Sequence, residues 1–153
     1  MVCFDTHVII WGIKREATAG QEGKIAQAES LISSCEENKI NIMIPSIVFA
    51  EVICNLDSKL QNELSAVMTR RFIIPPFDTR AALYFAQMWK EAWGRRKGLD
   101  ENIRVSREHM KADLMIIATA RSNGAYCIYS EDASLKLFAC DYIDVKPLPA
   151  VAG

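Results

Sequence analysis

Apolar residues along this chain fall into short runs and helical stripes that take turns, and that alternation predicts an α/β fold. Val2-Cys3-Phe4 is an apolar run long enough only for a strand; it breaks at Asp5-Thr6 before apolar character resumes over Val8–Trp11. From Gln21 to Asn38, Ile25, Ala28, Leu31, Ile32 and Cys35 recur at helical spacing with a polar opposite face, which predicts an amphipathic helix. Ile40–Ile44 alternates as a strand does and stops at Pro45-Ser46, where Ser46 is placed to cap the next helix. That helix, Ile47–Asp57, is apolar on nearly every side except for Glu51 and Asn55, so it is expected to be buried and to carry Glu51 with it. Leu60–Arg71 reads as more helix, Phe72–Ile74 as a short strand ended by Pro75-Pro76, and Asp78 as the cap of a helix running to about Trp93. Gly94–Met110 is polar and irregular, the pattern of a surface loop or lid.

After that segment, Asp113 opens an apolar helix, Ala112–Arg121, and Gly124 suits its end because a residue without Cβ enters the left-handed conformation cheaply. Tyr126–Tyr129 is short enough for a buried strand, Asp132 follows it, and Tyr142–Val145 alternates as a last, edge-type strand. Strands and helices that alternate in this way imply a three-layer α/β/α domain around a mostly parallel sheet of about five strands. Carboxyl ends of parallel strands gather on one edge, where open α/β folds put their ligands, so Asp5 and Asp132 are expected to meet there.

Composition narrows the picture only slightly. The chain's 153 residues suit one domain, 1–153, and 18 basic against 19 acidic residues neither demand nor exclude a nucleic-acid partner. Five cysteines without a paired short spacing read as reduced and mostly buried, which fits the cytoplasm. An acid at position 5 spoils a signal peptide, and the longest uncharged stretch, Ile40–Ala50, falls well short of the ~20 residues of a membrane helix, so no membrane association is expected.

Four acids interrupt apolar context: Asp5, Glu51, Asp113 and Asp132. Singly, each has a plain explanation. Asp5 can cap the helix after it, Asp113 can sit at the positive end of its own helix, and Asp132 can be a turn residue. Glu51 resists this, because a buried glutamate needs a cation. Jointly, four carboxylates in one pocket would repel unless a multivalent cation neutralised them. Oxygen donors without a matching His or Cys set select a hard ion, Mg²⁺ or Mn²⁺, suited to phosphodiester chemistry. His7 and His109 are not spaced as a metal pair.

The order Val2-Cys3-Phe4-Asp5-Thr6, Pro45-Ser46 with Glu51 six after the proline, Ala112-Asp113-Leu114-Met115-Ile116-Ile117-Ala118-Thr119-Ala120, and Ser130-x-Asp132 resembles the PIN-domain ribonucleases, most of all the VapC-type toxins of toxin–antitoxin pairs. The resemblance covers essentially the whole chain. It implies that Asp5, Glu51, Asp113 and Asp132 bind Mg²⁺ or Mn²⁺ and hydrolyse RNA, that Thr6 and Ser130 support them, that an antitoxin protein covers the site, and that the chain forms a homodimer. The family often has an aromatic residue three after the last acid, where this chain has Leu135, with Phe138 further on. Arg95, Arg96, Lys97, Arg104, Arg107 and Lys111 precede Asp113 and are candidates for RNA phosphate contacts, although Asp100, Glu101 and Glu108 dilute them. Trp89 and Trp93 lie one turn apart, spaced for packing in the core or a dimer, or for stacking on bases. Two readings stay open beside a nuclease. One is a PIN-like module that binds RNA or protein without cutting. The other is a different acidic-pocket phosphoryl-transfer protein, although a phosphatase of the haloacid-dehalogenase type wants an Asp where His7 stands.

Overall fold

A computed structural model describes residues 1–151. Four short strands, β1 (Val2–Phe4), β2 (Ile42–Met43), β3 (Cys127–Tyr129) and β4 (Asp144–Lys146), form a parallel sheet in the order β2-β1-β3-β4. Helices flank it: α1 (Thr6–Ile9), which runs into a π-helical turn at Ile10–Lys14, α2 (Glu22–Glu37), α3 (Ser46–Ile53), α4 (Ser58–Arg71), α5 (Thr79–Lys97), α6 (Arg107–Ser122) and α7 (Ala133–Ala139). After β1 the chain crosses to β2 on one side, and β3 later returns to the other side of β1. The order therefore reverses between β1 and β3, the place where such sheets form a ligand crevice. Asp5 and Ser130 follow these two strands directly, and the Asp5 amide donates to the Tyr129 carbonyl at 3.2 Å.

The expected α/β architecture with a parallel sheet is present, with one strand fewer than the five anticipated. Phe72–Ile74 contributes a single parallel bridge, Ile73 opposite Met43, with the Ile73 amide on the Ile42 carbonyl and the Ile73 carbonyl taking the Ile44 amide. Pro75 and Pro76 have no N–H to continue the ladder, and the Pro75 carbonyl instead accepts from the Ser46 amide that opens α3. Val8–Trp11, the second apolar run, is helical rather than extended. Its π-helical turn lies against α2 so closely that a Cβ on Gly12 would stand 2.6 Å from Ile32 Cδ1.

The expected loop Gly94–Met110 is corrected at both ends. Helix α5 continues through Gly94 to Lys97, since one glycine costs only about 1 kcal/mol relative to alanine, and α6 begins at Arg107. Ser106 caps α6, its Oγ accepting from the His109 amide at 3.0 Å, so a polar first turn that reads as loop is the exposed start of a helix. Asp113 consequently sits in the second turn of α6 and does not open it. At the other end Gly124 has φ +73°, the left-handed residue expected there.

One continuous core joins the sheet to α6, whose Met110, Leu114, Ile117, Ala118 and Ala120 are all buried. Leu135 and Phe138 of α7 are fully buried as well, so Phe138 puts an aromatic ring into the core one helical turn beyond Leu135. All five cysteines are free thiols; Cys3, Cys35 and Cys127 are buried, whereas Cys54 and Cys140 are exposed. Among the described residues no helix is long and apolar enough to cross a membrane.

Candidate metal centre

Each acid at the β1–β3 crevice is positioned by a local backbone reason. Asp5 is the N-cap of α1, its Oδ1 accepting from the Thr6 amide at 2.7 Å, and Asp132 is the N-cap of α7, its Oδ1 accepting from the Ser134 amide at 2.8 Å. Both caps therefore aim a carboxylate at the crevice while starting a helix. Ser130 ties them together: its hydroxyl donates to Asp5 Oδ2 at 2.7 Å and accepts from the Asp132 amide at 3.0 Å. Between them Glu131 turns away, held by Lys24 Nζ at 3.0 Å and the Leu148 amide at 2.8 Å.

Asp113 reaches the same place from α6. Its Oδ2 takes a hydrogen bond from Ser134 Oγ at 2.7 Å, and that hydroxyl also lies 2.8 Å from Asp132 Oδ1. A hydroxyl has one proton to donate, so the two carboxylates compete for it. His109 stands one helical turn before Asp113, with Nε2 3.1 Å from Asp132 Oδ2, 2.9 Å from Ser134 Oγ and 3.4 Å from Asp113 Oδ2. One donor atom from each of His109, Asp113 and Asp132 lies within 4.8 Å of the other two.

The electrostatics separate these acids. Burial pushes the Asp113 carboxyl up to about 7; the Ser134 bond and His109 pull it down, and the charges of Asp132 and Asp5 add to the rise. Asp5 is also raised, chiefly by burial, against the bonds from Ser130 and Thr6. Asp132 moves the other way: burial would raise it, but the bonds from Ser134 and the nearby imidazole outweigh that and hold it below the usual range.

Glu51 is corrected. It is exposed on α3, because Val48 and Val52 face the core while Ala50, Glu51 and Cys54 face solvent. Burial supplies no argument for a cation there. Its Oε2 nevertheless accepts from Thr6 Oγ1 at 2.5 Å, which fastens it beside Asp5. Asp5 and Glu51 both lie outside the His109–Asp113–Asp132 cluster.

Sequence reasoning missed His109 and Ser134. The first has a detectable signal, since residues i and i+4 share a helix face, but only once α6 is known to start before it. A small cleft of about 150 Å³, lined by His7, Trp11, Gln21, Glu131 and Asp132, opens beside Asp132. His7 itself is exposed and lies against the Trp11 ring, centroid to centroid 5.5 Å.

The basic residues are partly committed elsewhere. Arg96 Nε donates to the Val105 carbonyl at 2.8 Å and Arg104 to the Leu99 and Lys97 carbonyls, so both brace the loop between α5 and α6. Arg95 pairs with Glu91 at 3.5 Å. Trp89 and Trp93 stack on each other at 5.9 Å beneath the Arg107 guanidinium, with Arg96 and Lys97 over Trp93, and both rings pack against the core. Lys111 is exposed.

This is a parallel α/β domain with carboxylates converging at its strand-order reversal, the place where such folds bind ligands. The chain belongs to the PIN-domain family, whose model matches residues 2–139. In fold it is similar to VapBC2 from Rickettsia felis bound to a DNA fragment from its promoter, with TM-score 0.67 and 16% identity over 96% of this chain and 98% of that one. It is also similar to DNA-bound VapBC from Salmonella typhimurium, with TM-score 0.61 and 20% identity over 97% of this chain and 98% of that one. No curated protein sequence matches the chain.

Proposed function

We propose that the chain is a metal-dependent endoribonuclease of the VapC toxin type, with Asp5, Glu51, Asp113 and Asp132 holding Mg²⁺ or Mn²⁺. The observation that carries this reading is the convergence of buried Asp5 and Asp113 with Asp132 at one sheet edge, where half-exposed His109 and exposed His7 are the facing groups that can carry positive charge. Buried carboxylates raise one another's pKa and are stable as anions only when a cation neutralises them. The donor set fits such an ion, because the carboxylate oxygens come from rigid caps and a helix rather than from mobile loops.

When bound, the divalent ion supplies an activated water nucleophile and stabilises charge on the phosphodiester. The chain's own part is to orient and to exclude. Ser130 holds Asp5, Thr6 holds Glu51, and Ser134 holds Asp113 and Asp132 in fixed rotamers, so little reorganisation remains for the reaction. His109 Nε2 lies within hydrogen-bond distance of Asp132 and Ser134, which fixes the ring beside both. Lys111, exposed near the start of α6, is the cation freest to meet RNA phosphates; Arg107 and Lys97 lie over the Trp89 and Trp93 rings, and Arg95, Arg96 and Arg104 contribute field more than contact.

The similar structures are VapBC complexes, which supports an antitoxin protein as a partner of this chain; that the chain acts in the cytoplasm and as a homodimer is part of the same proposal. The test is cleavage of a labelled single-stranded RNA by the purified chain. Cleavage is expected with Mg²⁺ or Mn²⁺, none with EDTA, and none by Asp113→Asn. RNA binding without cleavage under every ion would replace this reading with the non-cutting module.

A further inference from the structure

His109 is one of only two histidines in the chain, and it is the nitrogen donor that the acidic edge brings in from α6. Donors in adjacent positions around an ion with bonds of about 2.1–2.2 Å stand about 3 Å apart. Nε2 lies 3.1 Å from Asp132 Oδ2 and 3.4 Å from Asp113 Oδ2, which are the spacings of adjacent ligands. All three side chains come from rigid positions. His109 and Asp113 are one turn apart on α6, whose first turn Ser106 pins at the His109 amide, and Asp132 is locked as the cap of α7. The His109 side chain is 46% exposed, so the position is open to solvent and an ion can reach it.

We propose that His109 Nε2 is a ligand of the divalent ion at Asp113 and Asp132, making this half of the site a mixed nitrogen–oxygen centre that prefers Mn²⁺ or Co²⁺ to Mg²⁺. The proposal rests on the reading of this edge as a divalent-ion site and specifies it. Imidazole is a poor partner for Mg²⁺, which demands oxygen ligands and gives up its water reluctantly, whereas affinity for nitrogen donors rises along the series from Mn²⁺ to Co²⁺. The rival arrangement is an imidazolium that pairs with the two carboxylates and leaves when the ion arrives. It predicts the opposite response, because removing a competing cation would strengthen metal binding.

The full chain, stripped of metal, is titrated with Mn²⁺ and followed by electron paramagnetic resonance, with pulsed detection of coupling to histidine ¹⁴N and replacement by ¹⁵N-labelled histidine. The expected result is Asp113-dependent Mn²⁺ binding with an imidazole nitrogen coupling that persists in His7→Gln and vanishes in His109→Gln. Mn²⁺ affinity should fall at least ~10-fold in His109→Gln, while Mg²⁺ affinity is little changed. Circular dichroism verifies that the variants fold, and His109→Ala guards against a ligating glutamine oxygen. Asp113-dependent Mn²⁺ binding with no imidazole coupling, or binding as tight or tighter in both His109 variants, overturns the proposal and leaves the nuclease reading standing. Absence of any Asp113-dependent Mn²⁺ or Mg²⁺ binding in the wild-type chain overturns both.

Discussion

The acidic edge has two unlike halves. On one side Asp113, Asp132, Ser134 and His109 form a dense, largely buried knot in which one hydroxyl and one imidazole touch both carboxylates. On the other, Asp5 and exposed Glu51 are strung along a thread of hydrogen bonds through Thr6, with Ser130 linking the two sides. The knot concentrates the electrostatic strain, since burial lifts Asp113 to about 7; the thread leaves Glu51 in water. The halves should therefore differ in how strongly they depend on an ion and on pH.

Asp113→Asn should have the largest effect, lowering Mg²⁺- or Mn²⁺-dependent RNA cleavage by at least ~100-fold, the scale of losing one group that organises transition-state charge. Glu51→Gln should cost about tenfold with thermal stability unchanged, because an exposed side chain contributes little to folding. Equal losses in single-turnover assays of both variants would erase the distinction between the halves.

In metal-free protein the knot should also set the pH dependence of stability. Asp113 has a folded pKa of about 7 and an unfolded one of about 4. Rising pH through that window strips the unfolded chain of a proton that the folded chain keeps, so stability falls from about pH 4 to about pH 7 and then levels off. Asp132, held low, works in the opposite sense: its contribution is present above its unfolded value and lost as pH falls below it. Melting curves at pH 5 and pH 8 should show the metal-free wild type less stable at pH 8. Asp113→Asn should shrink the difference and gain on the order of 2 kcal/mol at pH 8, and what remains is owed to Asp5, which burial raises as well. A wild type equally stable at both pH values would mean that the knot carries no such penalty.

Smaller effects follow from the supports. Ser134→Ala removes the hydroxyl shared by Asp113 and Asp132 but keeps the amide that Asp132 caps, and should change stability by about 1 kcal/mol in urea melts. Smallest of all, Lys111→Gln should reduce the slope of log RNA affinity against log salt by less than one phosphate contact, about 0.7. An unchanged slope would make Lys111 a bystander.

Much of this was legible in residues. Val2–Phe4, the Gln21–Asn38 stripe, Gly124 and the Asp5 cap are local patterns, because strand runs, helical periodicity and caps are decided by neighbours in the chain; Asp132, which reads as a turn residue, proves to be a cap as well. Glu51 was misjudged because hydropathy cannot tell which side of an eight-residue helix meets solvent, and Gly94–Met110 because a polar first turn of α6 looks like loop.

The sequence alone thus determined the α/β class, the parallel alternation and the family, and it singled out the four acids as candidates. Only the tertiary structure decided that His109 and Asp132, 23 residues apart, stand 3.1 Å from each other, that Ser134 serves two carboxylates at once, and that Glu51 lies in water. The reason is physical: periodicity and capping act over one helical turn, whereas these contacts depend on where the reversal of strand order at β1 and β3 brings α6 and α7 together.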